Sequence, residues 1–280
     1  MSSGYVCLTF DFDALSSWLA RGITSATPRS RGEFAAVATR RLLSILRRRG
    51  LTSTWFVPAH TAVTYPDLCR QLVDEGHEVA LHGYAHENVA VLERDVERDL
   101  LGRSIDRLTE VVGVRPRGFR APSWDLSEHS VDLMVEQELL YDSSMMADDH
   151  TPYLCRTQDR VDVDGTVWGQ ETPLVQIPVS WTLDDFPHLE FLRSGGAVLP
   201  GLQDPRSMFA RWYDDLTWML RELQAGVLTV TCHPEVIGRG HRLLALEDWL
   251  DRVSQQDVEL TTCAAVATRF RDGEVLGAQR

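Results

Sequence analysis

The sequence predicts an α/β fold: a distorted (β/α) barrel of about seven strands, built by residues 1–280 as a single domain. Three observations predict it. Short β-rich runs alternate with helical stretches along most of the chain, the signature of parallel strands joined by crossover helices. Ionisable residues recur at or just past the ends of those runs, at Asp11, Asp13, His82, His86, Arg120, Asp142 and His233. No G-x-G-x-x-G follows the first run and no G-K-[ST] occurs anywhere, which counts against nucleotide-binding sheets.

The elements follow in order. Residues 5–10 form an apolar, β-rich run ending in Asp11-Phe12-Asp13. Alternation along an extended chain puts both aspartates on one side. Residues 14–30 read as irregular. Residues 31–49 carry a helical apolar stripe through Phe34, Val37, Leu42, Ile45 and Leu46, with arginines at the end that suits the helix dipole and Gly50 as the stop. A strand over 52–57 and a helix over 66–75 repeat the pattern. Residues 78–81 form the strand that delivers His82 and His86, and 92–112 a charged helix closed by Gly113. A short strand at 117–120 leads to Ala121-Pro122-Ser123-Trp124, and a helix over 127–138 has Ser127 as its N-cap. Residues 139–141 lead into Asp142. Residues 148–169 are the least regular stretch and are expected to line or cover a site. Strands over 174–181, 227–232 and 258–261, with helices over 205–224 and 243–253, complete the alternation. The tryptophans at 212, 218 and 249 fall in helices and read as core or interface.

Composition narrows the function. The formal charge of −13 repels nucleic acid and anionic lipid, so neither nucleic acid nor membrane is expected as a partner. The chain contains no lysine, which removes a Schiff-base nucleophile. Its start lacks a basic and then apolar leader, and no run approaches a membrane span, so a cytoplasmic location is expected. Five scattered cysteines without C-x-x-C read as reduced, structural thiols. His60, His77, His129, His150 and His241 read as surface residues or as residues behind the site. The tryptophan-rich late helix and the loop acids at 184–185 make a homo-oligomer compatible with the sequence.

In a (β/α) barrel all strand C-termini open on one face, where active sites lie. The seven ionisable residues therefore converge there. His82 and His86, with Asp13 as third ligand, suit a divalent metal, with positions left open for water and substrate. Such an ion acidifies a water toward neutrality. Asp11 is placed to take that water's proton, with Arg120 holding its carboxylate ionised and oriented. His233 is placed to protonate a leaving amine. Asp142 either fixes the tautomer of that histidine or caps a turn.

Thr9-Phe-Asp-Phe-Asp13, His82-x-x-x-His86, Arg120-x-Pro122-x-Trp124 and Cys232-His233 together resemble the ordered motifs of the polysaccharide deacetylase family, carbohydrate esterase family 4, also called the NodB homology domain. The resemblance spans roughly residues 5–235. It implies a distorted barrel whose members remove N- or O-acetyl groups with a divalent metal, usually zinc. It also implies Asp11 as base, Asp13, His82 and His86 as metal ligands, and His233 as acid, with Pro122 and Trp124 at the substrate. Two features depart from the family pattern. Asp-Phe-Asp stands where many members have adjacent aspartates and a glycine, and Tyr141-Asp142-Ser143-Ser144 lacks the usual tryptophan. With Trp181-Thr-Leu-Asp-Asp185, these features resemble a peptidoglycan deacetylase-like branch, related to allantoinase-like and cyclic-imide hydrolases, and Asp184 and Asp185 join the expected substrate contacts.

The expected function is hydrolysis of a C–N amide bond, foremost N-deacetylation of an acetylated amino sugar or glycan. Ring opening of a small cyclic amide is the nearest rival. Two histidines and a carboxylate also bind iron in oxygenases, but those favour antiparallel β folds. A barrel that only binds its ligand would need neither Asp11 nor His233.

Overall fold

All eight residues of the first strand, β1 (Gly4–Asp11), are buried. A strand covered on both faces is the condition for a parallel sheet flanked by helices. The computed structural model describes residues 4–194, 197–199, 201–223 and 225–275. After β1 come β2 (Thr54–Val57), β3 (Glu78–Leu81), β4 (Gly118–Phe119), β5 (Tyr141–Asp142), β6 (Tyr153–Thr157), β7 (Arg160–Asp162), β8 (Gly165–Val167), β9 (Gln170–Gln176), β10 (Leu192–Ser194), β11 (Ala197–Leu199), β12 (Gly226–Cys232) and β13 (Val258–Thr261). The main sheet runs β12-β1-β2-β3-β4-β5-β9-β6.

Every pairing from β12 through β9 is parallel, so seven parallel strands form the wall, as the sequence leads one to expect. β6 adds an antiparallel edge. One edge of β1 is shared: Gly4–Cys7 pair with β13, and Thr9–Asp11 pair with β2. The sheet curls, and an isolated parallel bridge ties Asp184, in the segment after β9, to Thr231 of β12. The result is a distorted barrel.

Side-chain alternation splits the core in two. Val6, Leu8 and Phe10 pack outward beneath the helices, whereas Tyr5 and Cys7 join Phe56, Ala80, Tyr141 and Val175 in a smaller inner cluster. Continuing that alternation carries Thr9, Asp11 and then Asp13 up the inner face.

Several expected elements differ. The helix expected over 31–49 begins earlier, at Ala26 (Ala26–Arg49), because Pro28 lies in its first turn, where a missing N–H costs nothing. It ends at Gly50 as expected, with φ of 63°. A short helix, Ser16–Ala20, also occupies the stretch that reads as irregular. Ser127 is not a helix cap: the helix is Ser130–Glu136, and Ser127 instead binds Glu97 and accepts from the His129 N–H. Residues 148–169 do not line the site; they form β6 and the exposed hairpin β7–β8. The late helix is Pro205–Glu222, and the expected end at Gln224 lies outside the described residues, as do Met1–Ser3. Of the histidines that read as surface residues or as residues behind the site, His77 and His150 are buried. No helix of the described residues is long and apolar enough to cross a membrane.

Candidate metal centre and active site

The site is built on the ends of β1, β3, β4 and β12. Beyond β3 the chain turns sharply: Gly83 has φ of 71° and His86 φ of 66°. A side chain at Gly83 would press on Pro122, since its Cβ would lie 3.1 Å from the proline ring. The loop is held from below by Glu87, whose carboxylate accepts the Tyr84 N–H at 3.0 Å and the Ala85 N–H at 2.8 Å. This tight turn swings His86 back toward His82, leaving the rings 5.2 Å apart and nearly perpendicular.

Both rings address Asp13. His82 Nε2 lies 3.3 Å from one carboxylate oxygen and His86 Nε2 lies 3.2 Å from the other. The first oxygen, Oδ1, is buried and has no hydrogen-bond partner among the described residues. His82 Nδ1 stands 2.8 Å from the Arg120 carbonyl, which accepts only an N–H, so the proton sits on Nδ1 and the lone pair of Nε2 faces Asp13. Ligand atoms from the three residues lie within 4.8 Å of one another. Lone pairs converging on a common point, beside an orphaned carboxylate oxygen, fit a divalent cation. Burial opposes ionisation of Asp13, but the positive charge that His86 and His82 can carry beside it holds its carboxyl well below the usual range. Burial likewise works against a charged His82, and the carboxylates of Asp11 and Asp13 outweigh it and raise its pKa.

Asp11 lies beside this cluster. Arg120, fully buried, donates from Nη1 to Asp11 Oδ1 at 2.7 Å and to Thr9 Oγ1 at 2.9 Å. Its other edge bonds Ser143 through the carbonyl and the hydroxyl, each at 3.0 Å, and its face covers the Phe56 ring. A buried ion pair is tolerated only when its remaining donors are satisfied in this way. The second oxygen of Asp11 faces His82 Nε2 at 3.8 Å.

His233 lines the same recess as Asp11 and Asp13. Its Nδ1 is 2.9 Å from Asp185 Oδ1, and its backbone N–H reaches both oxygens of the same carboxylate. Nε2 is thereby left for the recess. Burial would lower the His233 pKa, but Asp184 and Asp185 overcome it and raise it well above the ordinary value. Burial pushes Asp184 up to about 7 and also raises Asp185. The sequence expectation that Asp142 fixes this histidine is corrected here. Asp142 instead accepts from the N–H and hydroxyl of Ser144, and Ser144 in turn accepts the Ala121 N–H. It acts as the turn cap of the alternative reading, and burial pushes it up to about 6.

The expected substrate contacts divide. Trp124 lines the recess and stacks on Trp181 at 4.2 Å. Pro122 is buried behind it against Gly83. Asp184 lines the recess but is buried and accepts from the Phe186 N–H, while Asp185 is fully buried on His233. Neither is an exposed loop acid. The contribution of Asp185 to His233 lay hidden because 48 residues separate the two. Glu87, next to His86, was missed, and Trp181, which opens a motif that the sequence singles out, was given no role there.

The chain's first half, residues 2–141, matches the family model described as polysaccharide deacetylase. A peptidoglycan deacetylase of Helicobacter pylori is 34% identical over 275 residues, covering 93% of this chain and 94% of the relative. A crystal structure of a Mycobacterium smegmatis protein assigned as a polysaccharide deacetylase superposes with a TM-score of 0.86. It is 32% identical and covers 100% of this chain and 94% of that one. An allantoinase structure shares the fold at a TM-score of 0.79 and 20% identity, over 97% of this chain and 91% of its own. The motifs, the barrel and these likenesses agree: the chain belongs to the polysaccharide deacetylase family.

Proposed function

We propose that this protein is a divalent-metal-dependent hydrolase that removes the N-acetyl group from an acetylated amino sugar or a related small amide. One observation carries the reading. A single recess of about 160 Å³ is lined by the Asp13, His82 and His86 cluster together with a carboxylate, Asp11, and an imidazole, His233. Amide hydrolysis needs a base for water and an acid for the departing nitrogen, and both line the recess that holds that cluster.

Asp13, His82 and His86 would hold the metal, and two imidazoles with a carboxylate favour zinc. When bound, the ion supplies Lewis acidity toward the acyl oxygen and the attacking water. Asp11, its other oxygen occupied by Arg120, takes the water's proton on Oδ2. His233, kept protonated by the carboxylates beneath it, gives a proton from Nε2 to the leaving nitrogen. Asp185 positions that ring.

A second reading, ring opening of a cyclic amide, uses the same groups. The compact recess, walled by the Trp124–Trp181 stack, favours it over attack on a long polymer. A panel of acetylated amino sugars, cyclic imides and ureides, offered to zinc-loaded protein, separates the two. Asp11→Asn is expected to keep the metal and lose about 10²–10⁴-fold in rate, whereas His82→Ala loses both. Turnover of neither substrate class, or a wild-type rate in Asp11→Asn, would sink the proposal.

A further inference from the structure

One residue of the recess has no part in the chemistry above. Arg21 follows the helix Ser16–Ala20 and lines the same recess as Asp13 and His233. Its guanidinium carbon lies 5.6 Å from the centre of the Trp18 ring and 5.8 Å from that of Phe186. Arg31, Arg47, Arg94 and Arg120 each hold a carboxylate. Among the described residues no ion pair or hydrogen bond includes the Arg21 guanidinium. Other arginines without a carboxylate partner among those residues, such as Arg160 and Arg239 (the latter over the Phe34 ring), lie away from the recess, whereas Arg21 lines it.

The aromatic contacts give this arrangement chemical meaning. Rings held against the guanidinium limit its motion and leave its N–H edge free. That edge matches a carboxylate, which it can bind through two parallel hydrogen bonds. The remaining charged side chains of the recess are the carboxylates of Asp11, Asp13 and Asp184 together with the histidines. A substrate anion is repelled by the carboxylates and drawn to Arg21, so one molecule carrying both groups is oriented with its amide toward His82 and its anion toward Arg21. The plainer role of a long side chain shielding two aromatic rings from water would create no such preference.

We infer that Arg21 is a specificity-determining residue, and that the substrate carries a carboxylate beyond the amide that is cut. This rests on the hydrolase reading above. The test uses ligands that chelate a divalent metal: ω-carboxy hydroxamates of increasing chain length and their methyl esters, titrated calorimetrically into zinc-loaded protein. At the chain length that spans the recess, the acid is expected to bind about tenfold more tightly than its ester. The ratio should fall to about one in Arg21→Gln, invert in Arg21→Glu and be kept in part by Arg21→Lys. A wild-type ratio near one at every length, or a tenfold ratio persisting in Arg21→Gln, overturns the role of Arg21 and leaves the hydrolase standing. Wild-type protein that binds neither acid nor ester sinks the hydrolase reading, and this inference with it.

Discussion

Nδ1 of His233 lies 2.9 Å from Asp185 Oδ1, and the backbone N–H of the same histidine lies 3.0 and 3.1 Å from the two oxygens of that carboxylate. One buried carboxylate thus grips both the main chain and the ring. It aims Nε2 into the recess and, with Asp184, favours the protonated imidazole against the cost of burial.

A pH profile tests this grip. An acid whose pKa is raised keeps its proton to higher pH, and activity that needs it is lost as pH rises through that raised value. Asp185→Asn removes one of the charges responsible, so the alkaline limb of kcat/KM should move to lower pH, with kcat reduced about 10²-fold. Asp142→Asn, whose carboxylate binds Ser144 instead, should leave that limb in place. A shift with Asp142→Asn and none with Asp185→Asn would reverse the assignment.

Asp142 should instead reveal itself in stability. Burial raises its carboxyl from the ordinary 3.8 to about 6. The folded form therefore keeps a proton that the unfolded chain has lost, and this contribution, full below the unfolded value, disappears as pH rises through about 6. Asparagine does not ionise. The melting temperature of Asp142→Asn relative to wild type should therefore be more favourable at about pH 7 than at about pH 4. A difference independent of pH would contradict the shift.

Glu87 makes no contact with the recess, yet it holds the turn that carries His86. Glu87→Ala should weaken zinc binding about 10-fold or more, as loss of an outer partner of metal ligands commonly does. Calorimetric or competitive-chelator titration measures it directly. Unchanged affinity would mean that the turn is held without Glu87.

Zinc itself should stabilise the fold, because its ligands are gathered only in the native chain. At about a thousandfold excess over Kd the gain is about 4 kcal/mol, visible as a rise in melting temperature that chelator reverses. His82→Ala should lose that rise. A melting temperature indifferent to zinc in the wild type would argue against a resident metal.

Two glycines offer a control on packing. At Gly118 in β4 an added Cβ would lie 2.0 Å from the Tyr141 ring, so Gly118→Ala should cost at least about 1–3 kcal/mol. At Gly102, within the helix Arg94–Val112, nothing lies within 4 Å of an added Cβ, and Gly102→Ala should gain about 0.5–1 kcal/mol. Denaturant unfolding of both variants measures the contrast.

Much of the barrel was legible because its signals are local. The buried run of β1, the strand Glu78–Leu81 before the histidines and Gly50 after its helix each follow from neighbouring residues. Helix starts were less legible: Pro28 inside a first turn and Ser127 outside one both look like their opposites in one dimension. The site divides in the same way. Asp11, Asp13, His82, His86 and His233 announce themselves by ending strands. Glu87, Trp181 and Arg21 do not, since their use depends on what faces them.

The sequence by itself determined the order of strands and helices, and with it the face on which the ionisable residues collect. Alternation and strand polarity are properties of the chain alone. Only the tertiary structure decided which carboxylate meets His233. Asp142 and Asp185 both follow stretches that the sequence reads as strands. The bridge that registers Asp184 against Thr231 sets Asp185 beside the end of β12, while Asp142 turns to Ser144. That register is a contact between distant segments, closed by the curl of the sheet, and no local pattern encodes it.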